Sequence, residues 1–130
     1  MYTNIIQIKN VKKGEFIGYG ASYVADTDMK IAVLPIGYNN GIGRVNNGQY
    51  VLINGKKCTM LGVSGMNMFV VKIDSDIKIS DKVLVMGDEI TIGQFSRFNN
   101  NTLSESLLNI GKNNLRVYVK NKNIIYVDKK

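Results

Sequence analysis

Residues 49–60 read QYVLINGKKCTM, and this stretch decides the fold. Apolar and β-branched residues lie on both sides of the pair Asn54-Gly55. Asn-Gly is the strongest short signal for a two-residue hairpin turn, because both of its residues tolerate a positive φ. We therefore predict a β-hairpin whose strands cover residues 49–53 and 57–60.

Similar segments recur along the rest of the chain. Each is short and rich in Val, Ile and Tyr, and Gly, Asn or Asp separates it from the next one. This pattern is typical of a small antiparallel barrel or sandwich. Further strands are expected over residues 5–8, 29–34, 69–73, 82–86, 116–120 and 124–127.

Two segments, residues 91–99 and 103–109, follow a different pattern. Their apolar residues recur at three- and four-residue spacing, as on short amphipathic helices, and Thr102 or Ser104 could cap the second one. The sequence therefore predicts a mostly β fold, a small closed β-barrel or sandwich, with one or two short helices between Thr91 and Asn109.

Composition narrows the class of protein. The chain has 130 residues, of which 45% are hydrophobic and 21% charged, as expected for one globular domain. No apolar run approaches the roughly 20 residues that cross a bilayer, and residues 1–13 lack the order of a signal peptide. We expect a cytoplasmic protein without a membrane partner.

Cysteine and histidine counts exclude several kinds of chemistry. Cys58 is the only cysteine, and the chain contains no histidine. An internal disulfide, a cysteine-based zinc site and a Ser-His or Cys-His nucleophile pair are therefore excluded within this chain. We expect neither a bound metal nor a cofactor-binding residue here.

The formal net charge of +7 raises the possibility of a polyanionic partner. One alternative is a small basic β-barrel that binds nucleic acid, since residues 11–16 (VKKGEF) superficially resemble the start of ribosomal SH3-like modules. The lysines come in short scattered groups, however, such as Lys12-Lys13 and Lys56-Lys57. This distribution favours an ordinary solvated surface and no nucleic-acid partner.

Three glycine-punctuated segments are poorly explained by strand patterns. They are residues 18–23 (GYGASY), 37–41 (GYNNG) and 62–67 (GVSGMN). Glycine weakens strands but lets other backbone approach closely, so the three loops could converge at one end of the domain and present their tyrosines. Ordinary hairpin turns with packing tyrosines remain the alternative.

The order and spacing of these loops resemble the C-terminal domain of alanine racemase over nearly the whole chain. Residues 18–25 are similar to the family's stretch around its catalytic tyrosine, and residues 31–41 (IAVLPIGYNNG) to its Pro-x-Gly-Tyr-x-x-Gly motif. Residues 61–67 resemble its Gly-Arg-x-x-Met-Asp segment, and residues 83–91 its following strand and turn. The resemblance implies a C-terminal-like β domain over residues 1–130, without the N-terminal pyridoxal-phosphate barrel.

The resemblance implies a mechanism with two opposed bases. They act on a substrate bound to pyridoxal 5′-phosphate, which serves as the electron sink. A lysine on the barrel is one base, and Tyr19 would be the other, reaching into the partner subunit's site. A free phenol has a pKa near about 10, so a tyrosine base needs the cationic neighbours that the family carries on its barrel. Tyr38 would line the substrate pocket, and the Met66 backbone N–H would face the substrate carboxylate.

The expected function is therefore one domain of an enzyme that interconverts L-alanine and D-alanine for cell-wall precursors in bacteria. Its partner would be a barrel domain of the same or another chain. The full-length family forms a homodimer, whereas the isolated domain would be an inactive monomer.

Several departures leave open a degenerate domain that is kept for dimerisation or regulation. Asn40 and Asn67 stand where aspartates are usual, and Val63 replaces an arginine. Glu105 and Ser106 lie near the place where the family has a tyrosine that binds the cofactor phosphate.

Overall fold

The structure is a computed structural model that describes residues 1–128. Over this range the chain forms eleven strands, two α-helices and two short 3-10 turns at Tyr19–Ala21 and Tyr38–Asn40. The strands are β1 (Tyr2–Thr3), β2 (Gln7–Val11), β3 (Phe16–Ile17), β4 (Tyr23–Val24), β5 (Met29–Leu34), β6 (Tyr50–Ile53), β7 (Lys56–Leu61), β8 (Phe69–Ile73), β9 (Val83–Leu84), β10 (Arg116–Lys120) and β11 (Asn123–Asp128). The helices are α1 (Ile92–Phe98) and α2 (Leu103–Asn113).

Seven strands form one antiparallel sheet in the order β1-β9-β6-β7-β8-β5-β2. The hairpins β3–β4 and β10–β11 are separate two-stranded sheets. Within residues 1–128 no pairing joins the β1 edge to the β2 edge, so the main sheet stays open. The predicted mostly β fold with two helices is confirmed in its sandwich form, and the closed barrel is not formed.

The hairpin at Asn54-Gly55 is confirmed. β6 and β7 pair with Val51 opposite Cys58. Asn54 and Gly55 have φ values of 52° and 73°, which is the left-handed backbone that a two-residue turn between twisted strands requires.

The structure differs from the sequence prediction at the ends of elements. The predicted strand over residues 5–8 is found as β2, and the one over residues 82–86 shortens to β9. β1, β3 and β4 were not predicted, because two-residue strands are too short to show an alternating pattern. α2 continues past residue 109 to Asn113, since half-buried Ile110 packs against the core.

The larger of two buried apolar clusters lies between the main sheet and the helices, and the smaller one includes Ile17 of β3 and Ile31 of β5. Phe69 of β8 and Phe95 of α1 are fully buried within the larger cluster, so α1 covers one face of the sheet. The buried hydroxyls of Ser96 and Ser106 join α1 to α2 through a hydrogen bond of 2.8 Å. No helix within residues 1–128 combines the length and the apolar character that a membrane crossing requires.

The β10–β11 hairpin projects from this core. All five residues of β10 are exposed, and so are four of the six residues of β11. The exposed large hydrophobic residues of the hairpin are Val117, Tyr118, Val119, Ile124, Ile125 and Tyr126. Exposed apolar patches of this kind mark interaction surfaces more often than they mark free surface.

The pairing of the central strands brings two of the glycine-rich loops to one end of the sheet. The last residue of β5, Leu34, pairs with the first residue of β8, Phe69. The last residue of β7, Leu61, pairs with Val70. The loop after β5 and the loop between β7 and β8 therefore leave the sheet side by side.

Candidate functional site

Tyr19 lies on a glycine-flanked loop between β3 and β4. Gly18 and Gly20 have φ values of 81° and 64°, a region that glycine adopts without steric cost. The Tyr19 side chain is 64% exposed at the tip of this loop. The two glycines thus allow a turn that holds the phenol away from the core.

Ser22 fastens this loop to the loop between β7 and β8. The Val63 N–H donates to Ser22 Oγ at 3.0 Å. A Cβ added at Gly62 would lie only 2.3 Å from the same Oγ, so glycine is needed where the two loops cross. Val63, one of the departures from the family pattern, therefore contributes through its backbone.

Tyr38 lies on the loop after β5 and is held by backbone pairing. Its N–H donates to the Gly65 carbonyl oxygen at 3.1 Å, and the Asn39 N–H donates to the Met66 carbonyl oxygen at 3.0 Å. A Cβ at Gly37 would lie 2.1 Å from the Gly65 carbonyl oxygen. Only glycine at position 37 permits this approach of two backbones.

Gly65 is the point at which the three predicted site residues meet. A Cβ at Gly65 would lie 3.5 Å from Tyr19 Cδ2, which places the Tyr19 ring directly against this glycine. Tyr38 pairs with its carbonyl group, and Met66 follows it in the chain. All three predicted side chains are exposed, at 64% for Tyr19, 44% for Tyr38 and 54% for Met66. The convergence expected from the glycine pattern is therefore present.

An amide network lies behind the loops, and no sequence pattern predicts it. Asn113 Nδ2 donates to Asn39 Oδ1 at 2.8 Å, and Asn39 Nδ2 donates to Asn67 Oδ1 at 3.2 Å. A second pair joins Asn40 to Asn114. The only signal in the sequence is that an Asn-Asn pair occurs both after Tyr38 and at the end of α2, and nothing about spacing shows that the pairs meet.

An open groove of about 280 Å³ lies beside Tyr19. Its lining residues are Gln7, Gly18, Tyr19, Val33, Met68, Phe69 and Val70. The groove offers a phenol and an apolar wall, and it contains no amine that could bind an aldehyde. Within residues 1–128 no cluster of His, Cys, Asp and Glu is arranged to hold a metal ion.

Glu105 has a structural task at the start of α2. Its carboxylate accepts hydrogen bonds from the Thr102 N–H at 2.7 Å and from Thr102 Oγ1 at 2.9 Å. These bonds, the one from the backbone first, lower the pKa of Glu105 below its usual value. Buried Ser106 bonds to Ser96 instead of facing the loops. Both residues therefore stabilise helices.

The chain is similar in structure to solved alanine racemases. Alanine racemase from Clostridium difficile 630 aligns with a TM-score of 0.89 at 32% identity, covering 98% of this chain and 35% of that one. Alanine racemase from Bacillus anthracis, with bound L-Ala-P, aligns with a TM-score of 0.89 at 28% identity, covering 98% of this chain and 34% of that one.

The sequence comparisons identify the family. The chain belongs to the family described as alanine racemase, C-terminal domain, whose model matches residues 1–118. Alanine racemase of Borreliella burgdorferi (strain ZS7) is 41% identical over 122 residues, which make up 92% of this chain and 33% of that protein. That of Staphylococcus epidermidis (strain ATCC 12228) is 37% identical over 90 residues, 69% of this chain and 24% of that protein.

The chain thus spans a third or less of the length of these curated relatives. The relatives are bacterial isomerases, and the family depends on pyridoxal phosphate.

Proposed function

We propose that this chain is the C-terminal domain of an alanine racemase that interconverts L-alanine and D-alanine for cell-wall precursors. The observation that carries the proposal is the meeting of exposed Tyr19, Tyr38 and Met66 around Gly65. Membership of the family and the match to solved racemases support it.

Tyr19 is the catalytic base that this domain contributes. Pyridoxal phosphate, when bound by the N-terminal domain, serves as the electron sink for the bond that breaks at the substrate α-carbon. The Tyr19 phenolate takes the α-proton from one face of the substrate, or its phenol returns a proton to that face. Within residues 1–128 no hydrogen bond engages the Tyr19 hydroxyl, which leaves it available to a cationic group on the barrel.

Tyr38 and Met66 form the substrate pocket. The Tyr38 ring provides a wall beside the reacting carbon, and the backbone pairing to Gly65 fixes its place. Within residues 1–128 the Met66 N–H has no hydrogen-bond acceptor, although the Met66 carbonyl group is engaged. A free N–H in a glycine-flanked loop is a suitable donor for the substrate carboxylate, because bonds to an ionised acceptor are strong.

The partner of this domain is a barrel domain that carries the pyridoxal phosphate and its lysine. The relatives extend well beyond the matched third, and the exposed hairpin β10–β11 with Leu107 and Leu108 of α2 offers an apolar surface for such a domain. In the assembled homodimer, the barrel that Tyr19 serves belongs to the partner subunit. Residues 1–130 by themselves form an inactive monomer.

Cys58 supports a cytoplasmic location for the racemase. Its thiol is buried, is the only thiol in the chain, and forms no disulfide. Such a thiol suits a reducing compartment.

The decisive experiment uses a chimera in which this chain replaces the matching third of the Borreliella burgdorferi alanine racemase. The isolated chain, mixed with pyridoxal phosphate and L-alanine, is expected to form no D-alanine. The chimera is expected to form it, and Tyr19→Phe should lower the rate by about 10²- to 10⁴-fold without changing the thermal midpoint.

Tyr2→Phe is the matched control, because Tyr2 is also an exposed tyrosine, at 60%, but lies on β1. Its rate should stay within about twofold of the unsubstituted chimera. Equal loss in both variants, or D-alanine formation by the isolated chain, would contradict the proposal.

A further inference from the structure

Two half-buried asparagines, distant in sequence, bind each other behind the Tyr38 loop. Asn40 Nδ2 donates to Asn114 Oδ1 at 3.1 Å. Asn114 Nδ2 donates to the Asn40 carbonyl oxygen at 2.9 Å and to the Ile110 carbonyl oxygen at 2.7 Å. The pair therefore joins the loop to the last turn of α2 in both directions.

The orientation of each amide group follows from its other partners. Asn40 Oδ1 accepts from the Gly37 N–H at 3.1 Å, so the oxygen must face Gly37 and the NH₂ must face Asn114. Asn114 Nδ2 has two carbonyl acceptors, so its oxygen faces Asn40. If either amide group were turned over, two donors or two acceptors would face each other.

We propose that Asn40 and Asn114 are positioning residues for the substrate site, which set the place of Tyr38 by fixing its loop to α2. The role of Tyr38 in this inference rests on the proposed function. The pairing of the two asparagines rests on their hydrogen bonds alone. Neither asparagine touches the reacting atoms.

The Tyr38 turn is held on two sides. On one side, the N–H of Tyr38 pairs with Gly65. On the other, Gly41 lies against α2 so closely that an added Cβ would come within 2.9 Å of the Ile110 nitrogen. Asn40 lies between these two contacts, in the same 3-10 turn as Tyr38. Loss of the amide pair would remove two hydrogen bonds between the turn and the end of α2, while the bonds from Asn113 to Asn39, the sheet and the Gly65 contact remain.

The family usually has an aspartate at position 40, but in this chain the residue opposite the Asn114 amide accepts and donates at once, which an amide can do. In the N40D variant, an ionised carboxylate can still accept from the Gly37 N–H, but it places a second acceptor against Asn114 Oδ1. Asn114 would have to turn over and abandon the Asn40 and Ile110 carbonyl groups. A protonated carboxyl, in contrast, again carries one donor and one acceptor and can replace the amide.

The first test uses the isolated chain and needs no catalysis. We expect N40D and N114D to speed hydrogen exchange of the Tyr38 and Asn39 amides by about tenfold at neutral pH, the effect of losing roughly one hydrogen bond. N47D is the matched control, since Asn47 is exposed and lies outside this network. It should leave both exchange rates unchanged.

The pH dependence separates this role from general loss of stability. Burial against an acceptor raises the pKa of the new carboxyl above its unfolded value of about 3.9. The decrease in thermal midpoint caused by N40D is therefore largest at neutral pH. It becomes smaller as the pH falls through the raised pKa of the new carboxyl. The charged groups at this end of α2 are Lys112 and Arg116.

The second test uses the Borreliella burgdorferi chimera. N40D should raise KM for alanine by about tenfold with kcat within about twofold, because a displaced Tyr38 weakens substrate binding and leaves the Tyr19 base intact. Equal changes in N40D and N47D, or an N40D defect that persists at low pH, would overturn the pairing. An inactive chimera with normal exchange behaviour would instead contradict the proposed function and leave the amide pair standing.

Discussion

The backbone N–H of Tyr38 donates to the carbonyl oxygen of Gly65 at 3.1 Å, and this bond joins two loops that leave the sheet from different strands. Because the bond uses main-chain atoms, its geometry depends on how closely the backbones approach. The Tyr19 ring rests against the same Gly65. One glycine therefore sets the relative places of two tyrosines.

Substitution of Gly37 should separate these loops. In Gly37→Ala the added Cβ would meet the Gly65 carbonyl oxygen at 2.1 Å, which no side-chain movement relieves. We expect a loss of about 1–3 kcal/mol in unfolding free energy, measured by urea titration. Gly93→Ala is the control, since a Cβ there meets only Thr91 Oγ1 at 3.8 Å and lies on α1. An equal loss in both variants would show that crowding at Gly37 is relieved.

Stability should fall at high pH because of Cys58. Burial raises the pKa of its thiol to about 11, whereas an unfolded thiol titrates near about 8.5. Because the folded state favours the protonated thiol, the contribution of Cys58 to the unfolding free energy is complete below about pH 8.5. It is lost as the pH rises towards about 11. Urea unfolding from pH 7 to 10.5 should show a steeper decline for the wild type than for Cys58→Ala. Parallel curves would remove Cys58 as the cause.

The start of α2 should be sensitive to acid. The lowered pKa of Glu105, caused first by the Thr102 N–H and then by its hydroxyl, means that the carboxylate is favoured in the folded state. Its stabilising effect is present above the unfolded value of about 4.3 and is lost as the pH falls through the lowered value. Glu105→Gln should remove this dependence when thermal midpoints are compared from pH 2.5 to 6.

Thr102→Ala tests the other half of that cap. Thr102 Oγ1 accepts from the Glu105 N–H at 3.3 Å, so the substitution leaves a helix-end donor without its partner. We expect a loss of about 1 kcal/mol. Ser104→Ala is the control, because Ser104 lies two residues after Thr102 and outside the cap. It should lower the unfolding free energy less in the same urea titration. The reverse order would mean that α2 is capped differently.

Gln49 offers a stabilising substitution. It is 2% exposed, and within residues 1–128 its Nε2 has no hydrogen-bond partner. Gln49→Met keeps the shape and removes the unsatisfied group, so we expect a gain of about 1 kcal/mol in unfolding free energy. Gln7→Met, at an exposed position, should change it little. A clear loss in Gln49→Met would reveal a partner for the amide.

Much of the fold was predictable because its signals are local. β5, β8 and β10 have the bounds that the Val- and Ile-rich runs predicted, and Asn54-Gly55 forms the expected turn. Thr102 caps α2, as one of the two candidates. The edge strand β1, its pairing with β9 and the open form of the sheet depend on contacts between distant segments, which local patterns do not encode.

The meeting of the glycine-rich loops was predictable from the sequence, but the amide network that supports them was not. The glycines around Tyr19 and Tyr38 mark loops that must approach other backbone, and the structure shows Gly65 as the meeting point. The asparagines at 113 and 114 gave no such signal, because an amide on a helix end is ordinary until its partner is known. The roles of Tyr19, Tyr38 and Met66 stay predictions for the chimera to test.

The bare β10–β11 hairpin has a cellular consequence. Within residues 1–128 no third strand pairs with either strand of this hairpin, and apolar side chains such as Tyr118 and Ile124 are exposed. Unpaired strand edges with apolar side chains tend to pair with further strands. Chaperones and proteases would therefore recognise any copy of the chain that is not assembled with a partner. If the hairpin binds the barrel domain as proposed, the surface used for assembly would also limit the lifetime of unassembled copies.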